Sequence, residues 1–91
     1  MSAYPSTMAP STLTDLKQRV ARREFSLSSK QGLVLRKCLE RPDIVAFGST
    51  RDISALCGAS PATVTRLARV VGCESFLQFR HLFQKHIASA P

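Results

Sequence analysis

Long apolar runs are missing from this 91-residue chain. No stretch approaches the ~20 apolar residues of a membrane-spanning helix, so no membrane partner is expected. Met1 to Leu13 lack the charged start and apolar stretch of a secretory signal. Cysteine is sparse and unpaired in pattern. Cys38, Cys57 and Cys73 are an odd set with no C-x-x-C spacing, which argues against a metal site and for a reducing, cytoplasmic compartment. Cys38 and Cys57 fall on apolar helical positions, where a free thiol acts as a small hydrophobe. The four glycines form no phosphate-cradling loop. The two histidines, His81 and His86, stand five apart and lack the i, i+4 placement of a helical zinc pair. A chain this short also has little material to enclose a substrate pocket. An enzyme is therefore not expected, and neither catalytic residues, a metal nor a cofactor is assigned. Strand-type alternation, heptads and internal repeats are absent as well.

Acidic residues are the other scarcity. Six Asp and Glu stand against 13 Lys and Arg, a formal charge of +7 and a pI near 10.2. That balance favours a polyanionic partner. Hydrophobic residues make up 44% of the chain. This is too apolar for a disordered basic tail and enough for one packed domain. The expected organisation is a disordered leader over 1–11, a domain over 12–88, and a tail or linker start over 89–91.

Every patterned segment has helical period. A first helix is expected from about Thr14 to Arg23, capped by Thr12 or Thr14, with Leu13, Leu16 and Val20 inward and Lys17, Arg19, Arg22 and Arg23 outward. Leu27-Ser28-Ser29 opens a second helix that carries Leu33, Val34, Cys38 and Leu39 and stops before Pro42. Leu35 lies off that stripe. Pro42 suits the first position of a short helix through Ile44, Val45 and Phe47, ended by Gly48. Ser75 caps a last helix with Phe76, Phe79, Phe83 and Ile87 at helical spacing. The predicted fold is an all-α, compact bundle of about five helices containing a helix-turn-helix.

The helix-turn-helix is placed at Ser49 to Val71. Ser49-Thr50-Arg51-Asp52 is a capping-box pattern with Asp in place of Glu, and Ile53, Leu56 and Cys57 form its buried stripe. Gly58 supplies the positive φ of a tight exit. Ser60-Pro61 then starts a second helix: a hydroxyl cap, then a proline whose missing N–H costs nothing there. At about 100° per residue, Val64, Leu67, Ala68 and Val71 share one face and Ala62, Thr65, Arg66 and Arg69 the opposite one. Small residues let a helix approach a DNA groove, and hydroxyls and guanidinium groups reach base edges and phosphates. Ala62, Thr63, Thr65, Arg66 and Arg69 are the base-contact candidates. Ser49, Thr50, Arg51, Ser60 and Arg19 are the phosphate-contact candidates, the amides at the two helix starts being suited to an anion. A protein-interaction or dimerisation module without DNA binding is the competing expectation, with the basic first helix as its contact.

From Leu27 to Ile87 the sequence resembles the N-terminal domain of the RpiR-type transcriptional regulators, bacterial regulators of sugar metabolism. The resemblance rests on Leu27-Ser28, on Arg41-Pro42-Asp43-Ile44-Val45-Ala46-Phe47, and on Ser49 with Ile53 and Leu56. It continues through Ala59-Ser60-Pro61-Ala62-Thr63-Val64-Thr65-Arg66-Leu67-Ala68 and Val71-Gly72 to Ser75-Phe76 and Phe79. Gly32, Gly48, Cys73 and Glu74 depart from the usual pattern. The resemblance implies sequence-specific binding of double-stranded operator DNA by a homodimer. It also implies a C-terminal sugar isomerase (SIS) domain that senses phosphosugars, and no counterpart of that domain stands in this sequence.

Overall fold

The structure, a computed structural model, describes residues 10–89. Among them are six helices and no strand: α1 (Leu13–Ala21), α2 (Ser29–Glu40), α3 (Pro42–Phe47), α4 (Thr50–Cys57), α5 (Pro61–Val70) and α6 (Phe76–Ser89). The all-α bundle is as expected, with five longer helices and the six-residue α3. Of the anticipated leader, residues 1–9 lie outside the described residues, as do 90–91 of the tail. Pro10 is buried, the Ser11 amide donates to Asp15 Oδ2 at 3.1 Å, and Lys85 Nζ donates to the Ser11 carbonyl at 2.9 Å. The packed domain thus begins before Thr12.

Most helix starts follow from local chemistry. The Thr12, Ser28, Ser49 and Ser60 hydroxyls each accept the backbone N–H three residues on. Each such cap is worth about 1 kcal/mol. Gln31 completes a reciprocal capping box on α2, and Asp52 completes one on α4. The first helix is shorter than expected. It stops at Ala21, and the chain turns through Arg23 at φ 58°, a left-handed conformation unfavourable for a side-chain-bearing residue. The Glu24 N–H reaches the Arg19 carbonyl and the Arg23 N–H the Val20 carbonyl, so the turn is held by backbone bonds.

One core gathers the inward faces of all six helices. Its largest members are Phe79, Phe83, Leu13, Leu16, Leu35, Ile53 and Leu67, each almost fully buried. Full burial of one such side chain is worth about 1.5–3 kcal/mol. Phe79 and Phe83 pack with ring centroids 5.0 Å apart. The expected stripe on α2 is corrected here. Leu35 is buried at 2% exposure, whereas Leu33 stands 51% exposed. Residues 33, 34, 35, 38 and 39 are all apolar and cover more than half of the helix circumference, so periodicity alone fixed no face. In the fold α2 packs against α3, α4 and α5, and Val34, Leu35 and Cys38 are its buried residues. On α6, Phe76 and Ile87 are half-buried, while Leu82 takes a core position.

A six-residue helix cannot hold itself in water, and α3 has no side-chain cap at its start. It is held by α6, against which it packs more extensively than any other pair of helices does. Arg80 Nη2 donates to the Gly48 carbonyl, and Gln84 Nε2 donates to the Ala46 carbonyl at 3.0 Å. Two side chains one helical turn apart therefore satisfy carbonyls at the end of α3. The Arg80 guanidinium also lies 5.3 Å from the centroid of the Phe76 ring, a cation–π contact. The corner between α3 and α4 is tight. A Cβ added at Gly48 would stand 2.6 Å from the Ile44 carbonyl oxygen and 3.2 Å from Asp52 Cβ.

Gly48→Ala is accordingly expected to destabilise the domain by about 1–3 kcal/mol, the usual cost of overpacking. Urea unfolding measures it as a lowered midpoint with an unchanged slope. An unchanged midpoint would show that the corner has room to yield.

Candidate nucleic-acid interface

The pair α4 and α5 is joined by Gly58-Ala59-Ser60. Gly58 sits at φ 65° and ψ 34°, in the left-handed region, and its N–H and that of Ala59 both reach the Ser54 carbonyl. Such a conformation costs a side-chain-bearing residue roughly 1–2 kcal/mol, which is why glycine serves at this position. The chain reverses at once into the cap of α5, where Ser60 Oγ accepts the Thr63 N–H at 3.2 Å. At the far end, the Cys73 N–H bonds the Ala68 carbonyl and the Gly72 N–H bonds the Arg69 carbonyl. These two hydrogen bonds close α5, which ends at Val70 with Val71 as its C-cap, one residue before the expected end.

The two faces of α5 are separated as its sequence phasing requires. Val64, Leu67, Ala68 and Val71 are buried, none more than 3% exposed. Ala62, Arg66 and Arg69 are exposed, and Thr65 and Thr63 are half-buried. Thr63 Oγ1 is engaged, 3.0 Å from Ser60 Oγ. The outward surface thus runs from the small Ala62, through Thr65, to the guanidinium groups of Arg66 and Arg69. Neither arginine has a salt bridge among the described residues. The ion pairs present there are Arg19–Asp15, Arg22–Glu24 and Arg41–Asp43, none of them on α5. No carboxylate is paired with Arg66 or Arg69 in these ion pairs, so the positive charge of α5 is left open to a partner.

The amides at the two helix starts offer less to an anion than the sequence suggests. At α5, Pro61 has no N–H and the Thr63 N–H is capped, so Ala62 is left with the open first-turn amide. At α4, Ser49 Oγ accepts the Asp52 N–H at 3.1 Å while Asp52 Oδ2 accepts the Ser49 N–H at 2.9 Å. The Asp52 carboxylate sits at this helix start and offsets its positive dipole end. A phosphate here would meet the first-turn amides of Thr50 and Arg51, which the capping box does not use, together with the exposed Thr50 hydroxyl and Arg51 side chain.

Arg19 does not share this open surface. Its guanidinium is held by Asp15 on the same helix, with Nη2 3.1 Å from Oδ2, and its side chain is only 14% exposed. The candidate interface is drawn without it. Arg80, which sequence reasoning gave no role, braces the corner before α4 instead. Its only signal was a position one turn before Gln84 on the same helix, and spacing of that kind does not reveal a partner 32 residues away.

Other chemistry finds little footing. Cys38 and Cys57 lie in the core with sulfurs 3.7 Å apart, and the Cys57 thiol donates to the Val34 carbonyl at 3.7 Å. Burial pushes all three thiols up, Cys73 to about 11, and the nearby Cys57 raises Cys38 further. Protonated thiols of this kind fill space and do not attack substrates. His81 is exposed and His86 half-buried. Among the described residues no three His, Cys, Asp or Glu side chains are grouped to hold a metal ion, and no helix is long and apolar enough to cross a membrane.

No protein-family model, no curated protein and no solved structure matches this chain. The reading of this surface therefore rests on its own chemistry.

The α4 cap makes one pH-dependent contribution that can be measured. Hydrogen bonds from the Ser49 amide and hydroxyl hold the Asp52 carboxyl below its usual 3.8, and the Arg41 side chain does the same for Asp43. A carboxyl whose folded value is depressed stabilises the fold above the unfolded value and loses that effect as pH falls through the folded one. Thermal unfolding followed by circular dichroism should show stability falling as pH drops below about 4. In Asp52→Asn the fall should be shallower. An identical pH profile for the variant would remove the cap from the titrating groups.

Proposed function

We propose that this chain is a sequence-specific DNA-binding domain of a bacterial transcriptional regulator of the RpiR type, with α5 lying in the major groove. One observation carries the reading. On a helix entered through a glycine turn and fixed by its aliphatic side, a small, hydroxyl and guanidinium surface faces outward with no acidic neighbour paired to it. A groove-inserted helix needs that arrangement. The net charge of +7 favours the same partner.

The residues divide by chemistry. Arg66 and Arg69 have the donors to take guanine O6 and N7 together, and each such pairing discriminates by about 1–3 kcal/mol. Ala62 and the Thr65 methyl suit thymine methyl groups. Thr50 and Arg51, at the start of α4, face the phosphate backbone in this docking, as the first helix of such a motif does. Regulation of sugar or carbon metabolism, a homodimeric state and a phosphosugar-sensing SIS partner domain come from the sequence resemblance alone, as does a cytoplasmic location.

Binding sites selected from random DNA at stated salt, followed by mobility shifts in rising salt, test the proposal. Affinity should fall steeply, with a log–log slope near −0.9 per phosphate contacted. Arg66→Ala should weaken binding to the selected site by about 1–3 kcal/mol and to random DNA much less. Arg51→Ala should weaken both alike and reduce the salt slope by about one. A module that binds only protein gives no shift at any salt, and that result would end the DNA reading. Equal loss on both DNAs for Arg66→Ala would remove Arg66 alone from the base-reading set.

A further inference from the structure

Two exposed apolar side chains away from α5, Phe47 and Leu33, stand among charges of opposite sign. The first lies beside a groove between α3 and α4. Ile44, Phe47, Ala55 and Leu56 form its apolar lining, and its charged lining residues are both carboxylates, Asp43 and Asp52. Phe47 is 67% exposed beside it. Arg41 pairs with Asp43 from outside the lining, and both members of that pair remain more than half exposed. The groove is shallow and open to solvent, and no α5 residue lines it. The second lies on the outward side of α2. There Leu33 is 51% exposed, with Lys30 three residues before it and Arg36 and Lys37 three and four residues after it. Residues at those spacings lie beside one another on a helix. Lys30 and Arg36 are exposed and Lys37 is half-buried, with Glu40 one further turn along.

We propose that the α3–α4 groove receives a second copy of this chain, which inserts Leu33 beside Phe47 and brings Lys30 and Arg36 to Asp43 and Asp52. The two surfaces are complementary: an exposed leucine flanked by cations meets an apolar groove lined by carboxylates. Desolvating Leu33 and Phe47 supplies the attraction, and the charges fix the orientation and reject other partners. Two copies each carrying +7 repel at long range. At about 0.15 M salt the Debye length is roughly 8 Å, so that repulsion is largely screened while contacting pairs are much less so. The contact is heterologous, with different surfaces of the two copies meeting. It is independent of the DNA reading, since neither surface uses α5 and the test contains no DNA.

Heterologous docking has a signature that a symmetric contact lacks. Sedimentation equilibrium at about 0.15 M salt and up to about 1 mM protein should give the wild-type chain an average mass above its 10.0 kDa monomer. Leu33→Asp alone and Phe47→Asp alone should each weaken association at least about tenfold and sediment as monomers. An equimolar mixture of the two should pair to twice the monomer mass, because one copy keeps its knob and the other its groove. Leu77→Asp, at a 73% exposed leucine on α6, should associate like wild type. Thermal unfolding confirms that each variant is folded, and Leu33→Ser and Phe47→Ser replace any aspartate variant that is not. A wild-type chain that stays monomeric, a single variant that associates like wild type, or a mixture that stays monomeric while wild type associates would each overturn the proposal.

Discussion

The grip of α6 on the end of α3 is the constraint on which the arrangement depends. Arg80 and Gln84 project from consecutive turns of α6 and donate to the Gly48 and Ala46 carbonyls. Those carbonyls would otherwise lack partners, because a helix leaves its last four C=O groups unsatisfied and α3 is too short to lose even one bond cheaply. Once α3 is held, the chain leaves it at a fixed corner, and the Ser49–Asp52 capping box starts α4 three residues after Ala46. The direction of the helix-turn-helix is therefore set from the C-terminal helix. Local sequence sets only where its helices start.

The surface of α5 is made by separating functions around one helix. The aliphatic face supplies the stability, so the outward face is free to carry side chains that contribute little to folding. Arginines left without carboxylate partners raise the electrostatic cost of the folded state, since like charges repel. Four of the six acidic residues are engaged away from α5: Asp15 with Arg19, Glu24 with Arg22, Asp43 with Arg41, and Asp52 in the cap of α4. A uniformly basic surface would need no such sorting.

The buried thiols fit the same economy. Cys38 and Cys57 meet where α2 crosses α4, and Cys73 lies under the turn that follows α5. At each position a small, polarisable side chain admits close helix approach. Desolvation keeps the thiols protonated, so they add packing without adding a charge to the core.

Local chemistry was legible in the sequence because its causes are local. Ser49, Ser60 and Gly58 each act within a few residues of themselves, and the phasing of Val64, Leu67, Ala68 and Val71 against Ala62, Thr65, Arg66 and Arg69 needs only the 3.6-residue period. The all-α class, the caps and the outward face of α5 follow from such signals. Two matters were settled only in three dimensions. Leu35, and not Leu33, enters the core because apolar residues surround much of α2 and only its neighbours choose among them. Arg80 finds its acceptor 32 residues away. The Arg19–Asp15 pair, by contrast, spans four residues on one helix, a spacing at which opposite charges meet, so its cause is local. Periodicity describes one helix at a time, whereas burial and long-range hydrogen bonds belong to pairs of helices, and no single segment specifies its partner.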